Sequence, residues 1–239
     1  MNVAQGPPFP AADMDEEQEL RENMVQRQLV ARGVRDPAVL GAMRRVPRSA
    51  FVPDESRALA YDDRALPIGC GQTISQPYIV ALMAQAASMR PGDRVLEIGA
   101  GSGYAAAVMA QIVGKVDAIE RHERLAIRAR ETLRSIGCGN VAIHVGDGTL
   151  GLPEKAPFDV IVAAAAGPIV PPSWREQLAV GGRLVMPLGD RPAVQRLVRI
   201  TRRGIAEYEQ LDLGMVAFVP LIGAQGWQDD EDDDQAHGG

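Results

Sequence analysis

Apolar and polar residues alternate in blocks along the middle of the chain. Short apolar runs with the length of buried strands occur at RVLEIG (94–99), KVDAIE (115–120), VAIHVGD (141–147), FDVIVAAAA (158–166) and GRLVMPLG (182–189). Between them, residues 104–114 and 121–137 have the pattern of helices, and a short helix is expected around SWREQL. Strands that alternate with helices are typical of βαβ units. The sequence therefore predicts an α/β fold with a doubly wound, mostly parallel, Rossmann-like sheet.

Two N-terminal helices are predicted ahead of this sheet. Over residues 16–31 the apolar side chains fall on one helical face, and Gly33 is expected to end that helix. The second helix is expected to begin with Asp36 as its N-cap and Pro37 as its first residue, and to end at Pro47.

The segments outside these helices and strands have weaker patterns. Residues 48–76 show no clear period and many turn formers, so an irregular covering region is expected there. Near residue 200, the runs VQRLVRI and IAEYEQLDL flank TRRG, which predicts an antiparallel hairpin added to the edge of the sheet.

These patterns predict one domain between two disordered tails. The expected parts are a Pro- and Ala-rich tail (1–15), a single domain (16–227) made of a helical covering region (16–76), a ligand-binding core (77–190) and C-terminal strands (191–227), and an acidic tail (228–239).

The composition is that of a globular protein, with 46% hydrophobic and 23% charged residues in 239. No apolar run approaches the roughly 18 residues that span a bilayer, so no membrane association is expected. The first residues lack the basic start and apolar stretch of a signal peptide. Cys70 and Cys138 form no CxxC pair and are interpreted as idle thiols rather than a disulfide or metal ligands. Together these features predict a cytoplasmic protein.

The net charge of -6 comes from one place, the six acidic residues Asp229–Asp234. The other acidic side chains balance the 25 basic ones, which leaves no basic excess. Nucleic acid is therefore not an expected partner.

The stretch EIGAGSGY joins the first predicted strand to a helix. Gly99, Gly101 and Gly103 allow a tight turn and a close approach of the backbone to a ligand, which the N–H groups at the helix start then face. The spacing departs from the dinucleotide fingerprint, because Tyr104 stands where the third glycine belongs. The strand–loop–helix context still favours a nucleoside ligand over a purely structural turn.

Two acidic residues end the next two predicted strands. Glu120 lies about twenty residues after the loop, where a carboxylate binds ribose hydroxyls; the alternative is a solvated charge at a strand end. Asp147, between two glycines, is expected at the same crevice, so that Glu97, Glu120 and Asp147 converge on one adenosine. No Walker lysine follows the loop and three carboxylates repel phosphate, so a cationic nucleoside such as S-adenosylmethionine suits the site best.

Ser75 belongs to a stretch, IGCGQTISQP, that has no histidine and no carboxylate. A serine just before an apolar helix, with Pro77 nearby, is a good N-cap. The local sequence therefore favours capping, with a substrate contact as the alternative. His122 and His144 are interpreted as a helix-surface residue and a strand residue rather than as catalysts.

Several motifs resemble known enzymes. VLEIGAGSGY, Glu120, VGDG and GGRLVMPLG are similar to class I S-adenosylmethionine-dependent methyltransferases. The segments MVQRQLVARGVRDPAVLGAMRRVPRSAFVP, PIGCGQTISQPYIVALM, DVIVAAAAGPIVPPSW and FVPLIGAQGW resemble the protein-L-isoaspartate O-methyltransferase family, over about Glu22 to Trp227.

This resemblance implies an enzyme that methylates the free α-carboxylate of L-isoaspartyl residues in damaged proteins and peptides, with repair through a succinimide. Isoaspartyl proteins and peptides are its expected partners, and a monomer is expected. The rival hypotheses are a small-molecule carboxyl methyltransferase, a nucleic-acid methyltransferase, and a scaffold that binds the cofactor without turnover.

The resemblance also assigns residues. Ser75 matches the catalytic serine, and no metal is expected. The implied cofactor-binding residues are Thr73, Ile74, Ser75, Glu97, Gly99, Gly101, Ser102, Gly103, Glu120, Asp147 and Gly148, and the implied substrate-binding residues are Thr73, Ser75, Ala165 and Ala166. An ionised carboxylate needs no base and a thioether leaving group needs no acid, so a hydroxyl that orients the nucleophile is sufficient.

Overall fold

The computed structural model describes residues 11–189 and 195–228. Most of the two expected tails lies outside these residues, but the backbone of residues 11–15 belongs to the first helix. The helices are α1 Ala11–Met24, α2 Pro37–Arg45, α3 Pro77–Ala87, α4 Tyr104–Ala110, α5 Glu123–Ser135 and α6 Pro172–Gln177. The strands are β1 Leu66–Gly69, β2 Gln72–Ile74, β3 Arg94–Ile98, β4 Lys115–Glu120, β5 Val141–Val145, β6 Phe158–Ala163, β7 Leu178–Leu188, β8 Gln195–Arg202 and β9 Tyr208–Val216.

The central sheet has seven strands in the order β5-β4-β3-β6-β7-β8-β9. The first five are parallel, and β8 and β9 are antiparallel, which confirms the doubly wound sheet with a C-terminal hairpin. Buried apolar side chains cover both faces of the parallel part, as the continuous hydrophobic runs of its strands require.

The N-terminal helices follow the predicted signals. Helix α1 continues through a π-helical turn and a 3₁₀ turn, and Gly33 ends it with φ 93°. Asp36 caps α2 by accepting hydrogen bonds from the N–H groups of Ala38 (2.8 Å) and Val39 (3.3 Å), and Pro37 is the first helical residue.

The covering region is more regular than expected. Residues 48–59 contain two 3₁₀ helices, and β1 and β2 form a small antiparallel hairpin that periodicity did not reveal because each strand has only three or four residues. Helix α3 begins at Pro77 with Gln76 as its N-cap, and no side chain caps it. The prediction that Ser75 caps α3 is therefore wrong.

Arg48 attaches the covering region to the sheet domain. Its side chain is fully buried, and its Nε donates to the carbonyl of Ala60 (2.8 Å). Its guanidinium lies 4.9 Å from the ring centre of Tyr104, the first residue of α4. Because α4 follows the glycine loop, this contact links the covering region to the site described next.

Within the described residues, Cys70 and Cys138 are free thiols. The same part of the chain contains no helix of sufficient length and apolarity to cross a membrane. It also holds no group of three or more His, Cys, Asp or Glu side chains that could bind a metal ion.

Candidate active site

A cleft of about 480 Å³ opens at the carboxyl ends of β3, β4 and β6. Strand β3 has β4 on one side and β6 on the other, so the strand order reverses there, which is where open α/β sheets bind ligands. We call this space the main cleft; its lining includes Gly99, Gly101, Glu120, Gly148, Ala164 and Ala165. A side cavity of about 40 Å³ shares Thr73, Gly99, Gly101 and Ala164 with it and also contains Ser75 and Glu97.

The glycine loop turns tightly between β3 and α4. The N–H of Gly99 donates to the carbonyl of Ile119 (2.9 Å), and that of Gly101 donates to Oε2 of Glu120 (2.7 Å). Gly101 has φ 54°, and a Cβ there would lie 3.2 Å from Ile68 of the covering hairpin. Gly103 is the N-cap of α4 and does not line the cleft, so its role there is to let α4 pack against α5.

Glu120 is held in place by two backbone groups. Besides Gly101, the N–H of His122 donates to its Oε1 (2.9 Å). Its side chain is only 4% exposed and lines the main cleft, so it is not a solvated charge at a strand end. A fixed carboxylate in this position can accept hydrogen bonds from the hydroxyls of a ribose.

Glu97 is buried without a partner for one of its oxygens. It is 1% exposed, lines the side cavity, and its Oε2 accepts no hydrogen bond. Burial, and secondarily the nearby carboxylate of Glu120, raise the pKa of Glu97 well above its ordinary value. A cationic group in the cavity would donate a hydrogen bond to Oε2, and its positive charge would favour the ionised form of the Glu97 carboxyl.

Ser75 lies between β2 and α3 and lines the same side cavity as Glu97. Thr73 lines both cavities, and Ile74 and Ser102 line the smaller one. The structure thus brings residues Thr73, Ile74 and Ser75 together with the glycine loop at one end of the cleft.

Asp147 has a different environment from the other two carboxylates. Its Oδ1 accepts from the N–H (2.8 Å) and the hydroxyl (2.6 Å) of Thr149, and its Oδ2 accepts from the N–H of Ala224 (2.8 Å). Burial raises the pKa of Asp147, but the hydrogen bonds from Ala224 and Thr149 outweigh it and hold the pKa below its ordinary value. Asp147 itself does not line the main cleft, whereas Gly148 does.

The loop after β6 contributes Ala165 to the main cleft, but Ala166 lies behind it and is 1% exposed. The N–H of Ala166 donates to the carbonyl of Val219 (2.8 Å), and its carbonyl accepts from the N–H of Leu221 (2.7 Å). The backbone of Ala166 therefore supports the C-terminal segment.

Several lining residues were not among the predicted ones. The C-terminal residues Val219, Pro220, Leu221 and Ile222 line the main cleft, as do Cys70, Gln72, Arg121 and His122. His122 was expected on a helix surface, but it is the N-cap residue of α5 and its buried Nε2 has no hydrogen-bond partner. Its position two residues after Glu120 was the signal that could have identified it.

The site fits the cofactor that the sequence implies. A volume of about 480 Å³ lies within the roughly 300–1,000 Å³ usual for ligand pockets. The unpartnered Oε2 of Glu97 suits the cationic methionine end of S-adenosylmethionine, and Glu120 suits its ribose.

Comparisons with known proteins agree with this geometry. A protein-family model described as protein-L-isoaspartate(D-aspartate) O-methyltransferase matches residues 19–226. Protein-L-isoaspartate O-methyltransferase 1 of Rhodopseudomonas palustris (strain HaA2) is 59% identical over 207 residues, which cover 87% of this chain and 84% of that protein. Protein-L-isoaspartate O-methyltransferase 2 of Pelobacter propionicus is 56% identical, with 87% and 92% covered.

Two solved structures are also similar. A protein-L-isoaspartate O-methyltransferase superposes with a TM-score of 0.79 at 30% identity, covering 86% of this chain and 67% of that one. A Plasmodium falciparum protein, described as a putative protein-L-isoaspartate O-methyltransferase in complex with S-adenosyl-L-homocysteine, has a TM-score of 0.73 at 25% identity and covers 86% and 98%.

Proposed function

The chain belongs to the protein-L-isoaspartate(D-aspartate) O-methyltransferase family, and on that premise we propose that it methylates the free α-carboxylate of L-isoaspartyl residues in damaged proteins and peptides. S-adenosylmethionine is the methyl donor. The observation that carries this proposal is the side cavity, in which Ser75 and Glu97, whose Oε2 has no hydrogen-bond partner, line one space beside the main cleft.

In this proposal the residues that would hold the cofactor lie along the carboxyl edge of β3 and β4. Glu120 binds its ribose, and Gly148 and Asp147 lie at its adenine end. Glu97 and the loop residues Gly99, Gly101 and Ser102 hold the methionine end. When bound, S-adenosylmethionine supplies a methyl group on a positively charged sulfur, and Glu97 faces that end of the molecule.

Ser75 orients the substrate carboxylate. Its hydroxyl donates a hydrogen bond to one carboxylate oxygen, which leaves the other oxygen free to attack the methyl carbon in line. The new O–CH₃ bond forms as the CH₃–S bond breaks, and the electron pair stays on sulfur. No proton moves in this step, so a site without a general base is sufficient.

The walls of the cleft contribute by excluding water. Opposite charges on the nucleophile and the donor are neutralised as the transition state forms, and a dry site favours that loss of charge. Thr73, which lines both cavities, and Ala165, which lines the main cleft, are the proposed contacts to the substrate. Ala166 is buried and supports the C-terminal segment rather than contacting the substrate directly.

The methyl ester then initiates repair without further help from the enzyme. The backbone nitrogen of the following residue attacks the ester carbonyl and expels methanol, which leaves a succinimide. Water opens this ring, in part to a normal aspartyl residue. The proposal includes action as a monomer in the cytoplasm.

A pair of synthetic peptides tests the proposal. A peptide with one isoaspartyl residue should yield stoichiometric S-adenosylhomocysteine and base-labile methyl ester, whereas its aspartyl isomer should not react. Equal turnover of both peptides, or turnover only of free small carboxylic acids, would favour the alternative, a small-molecule carboxyl methyltransferase.

A further inference from the structure

The C-terminal segment, residues 219–227, forms one wall of the main cleft. Its first four residues line the cleft, and a β-bridge pairs Pro220 with Ala166 beyond β6. Its last residues reach the loop that follows β5, where Asp147 accepts the hydrogen bond from Ala224. The segment therefore runs across the open edge of the sheet from one side of the cleft to the other.

Gln225 fastens this segment with both its backbone and its side chain. Its N–H donates to the hydroxyl oxygen of Thr149 (3.1 Å). Its side-chain Oε1 accepts from the N–H of Ser173 (3.2 Å), and its Nε2 donates to the hydroxyl of Ser173 (2.7 Å). Gln225 thus joins the segment to the loop after β5 and to the first turn of α6.

The supports of Gln225 are themselves tied to the cleft. Next to Ser173 on α6, Trp174 is fully buried, and its indole N–H donates to the carbonyl of Gly148 (2.9 Å), which lines the cleft. Asp147, adjacent to Gly148, holds both Thr149 and Ala224. A shift of the segment would therefore disturb the adenine end of the proposed cofactor site.

There is little room for the segment to adapt. A Cβ on Gly223 would lie 2.1 Å from Oδ1 of Asp147, and one on Gly226 would lie 2.3 Å from the carbonyl oxygen of Leu221. Such close approach of backbone to its anchors indicates one defined position rather than a range of positions.

We propose that Gln225 is a positioning residue for cofactor binding: its clamp on Ser173 and Thr149 fixes the C-terminal segment as a wall of the main cleft. Gln225 itself does not line the main cleft. This inference rests on the proposed location of the cofactor and adds a residue to which the sequence motifs gave no role.

The test compares S-adenosylhomocysteine affinity among variants by calorimetry. Gln225→Ala removes both side-chain hydrogen bonds and should weaken binding roughly tenfold, because two neutral hydrogen bonds no longer preorganise the wall. The KM for S-adenosylmethionine should rise to a similar extent, and kcat should stay within about twofold. Gln210→Ala, on the exposed edge of β9, is the matched control and should bind like the wild type.

A double-mutant cycle separates positioning from general destabilisation. Ser173→Ala removes one of the two side-chain hydrogen bonds of Gln225 and should weaken binding, but less than Gln225→Ala does. The double variant should be no worse than Gln225→Ala alone, and Ser173→Thr, which keeps the hydroxyl, should bind like the wild type. Wild-type affinity in both alanine variants, or a loss that only parallels a fall in Tm, would overturn the proposal. Glu120→Ala serves as the reference for the cofactor site itself. If Glu120→Ala loses affinity and Gln225→Ala does not, only the role of Gln225 is rejected. If Glu120→Ala keeps its affinity, the proposed cofactor site is rejected and this inference with it.

Discussion

Ser75 and Glu97 differ in what they need from the fold. Ser75 needs only to point its hydroxyl into the side cavity, and it is released from capping because α3 begins without a side-chain cap. Glu97 lowers the stability of the ligand-free fold, since its carboxyl is buried with one oxygen unpartnered. A hydroxyl that does not cap the adjacent helix and a buried carboxyl oxygen without a hydrogen-bond partner both indicate a site built for a ligand.

Ser75→Ala should therefore reduce kcat for an isoaspartyl peptide by about 10- to 100-fold, the loss expected when one hydrogen bond to a charged group is removed. Tm should stay near the wild type, because Ser75 does not cap α3. Steady-state kinetics with Ser135→Ala, at the exposed end of α5, provide the control. A Ser75→Ala enzyme within twofold of wild-type turnover would contradict the orienting role.

The raised pKa of Glu97 predicts how the stability of the protein depends on pH. Burial raises this pKa in the folded protein above its value in the unfolded chain. The contribution of the protonated carboxyl to the free energy of unfolding is therefore complete below the unfolded-state pKa and is lost as pH rises through the folded-state pKa. Glu97→Gln removes this dependence. In urea denaturation the ligand-free variant should be more stable than the wild type at pH 8, and the two should converge near pH 5.

The same substitution should weaken binding of S-adenosylmethionine, because a neutral amide cannot pair with its cationic end. Stability and affinity would thus change in opposite directions, as expected for a group kept for function. A Glu97→Gln protein that is less stable at pH 8, or that binds the cofactor as tightly as the wild type, would show that this carboxyl has a structural role instead.

At the scale of elements, the buried cation of Arg48 helps to attach the covering region to the sheet domain. Arg48 donates to the carbonyls of Ala60 and Arg64 and lies over the ring of Tyr104. Burial raises the pKa of Tyr104 to about 12, although the positive charge of Arg48 opposes this increase. Tyr104 also lines the side cavity. The attachment of this region and the shape of the cavity are therefore coupled.

Arg48→Ala should lower the free energy of unfolding by about 2–4 kcal/mol, because the buried carbonyl of Ala60 loses its donor and a void is left behind. Urea denaturation measures this loss. The matched control is Arg57→Ala. Arg57 forms an exposed ion pair with Asp54 at 3.7 Å, and the loss of this pair should lower the free energy of unfolding by under about 1 kcal/mol. Equal losses in the two variants would contradict the anchoring role.

Elements with strong local signals were predictable, and those fixed by distant contacts were not. Asp36 and Pro37 mark the start of α2, and the apolar runs mark β3 to β7, because caps and burial act over a few residues. The β1–β2 hairpin is too short for a period and depends on packing over the glycine loop. The wall at residues 219–222 depends on pairing with Ala166, which lies far away in the sequence.

For the molecule as a whole, the main cleft brings together parts of the protein that are distant in sequence. Residues of the covering hairpin, the glycine loop, the ends of β4 and β6 and the C-terminal segment all line it. A ligand that touches all of them should stabilise the protein against global unfolding rather than stiffen one element.

S-adenosylhomocysteine at about 100 times its Kd should add about 2.7 kcal/mol of stability and raise Tm by about 5–10 °C in a thermal melt. ATP is the control, since the carboxylate of Glu120 repels its phosphates, and should shift Tm by less than about 1 °C. A larger shift with ATP than with S-adenosylhomocysteine would contradict the electrostatic reading of the cleft.

The wall at residues 219–222 has a consequence for the newly made chain. Synthesis proceeds from the N-terminus, so Ser75, Glu97 and Glu120 leave the ribosome long before the segment that closes their cleft. Contacts this distant in sequence form late, because a long loop must close first. A nascent chain that has already folded its parallel strands therefore still lacks this wall of the cleft, and we expect full affinity for the nucleoside to arrive with the C-terminal segment, after β9.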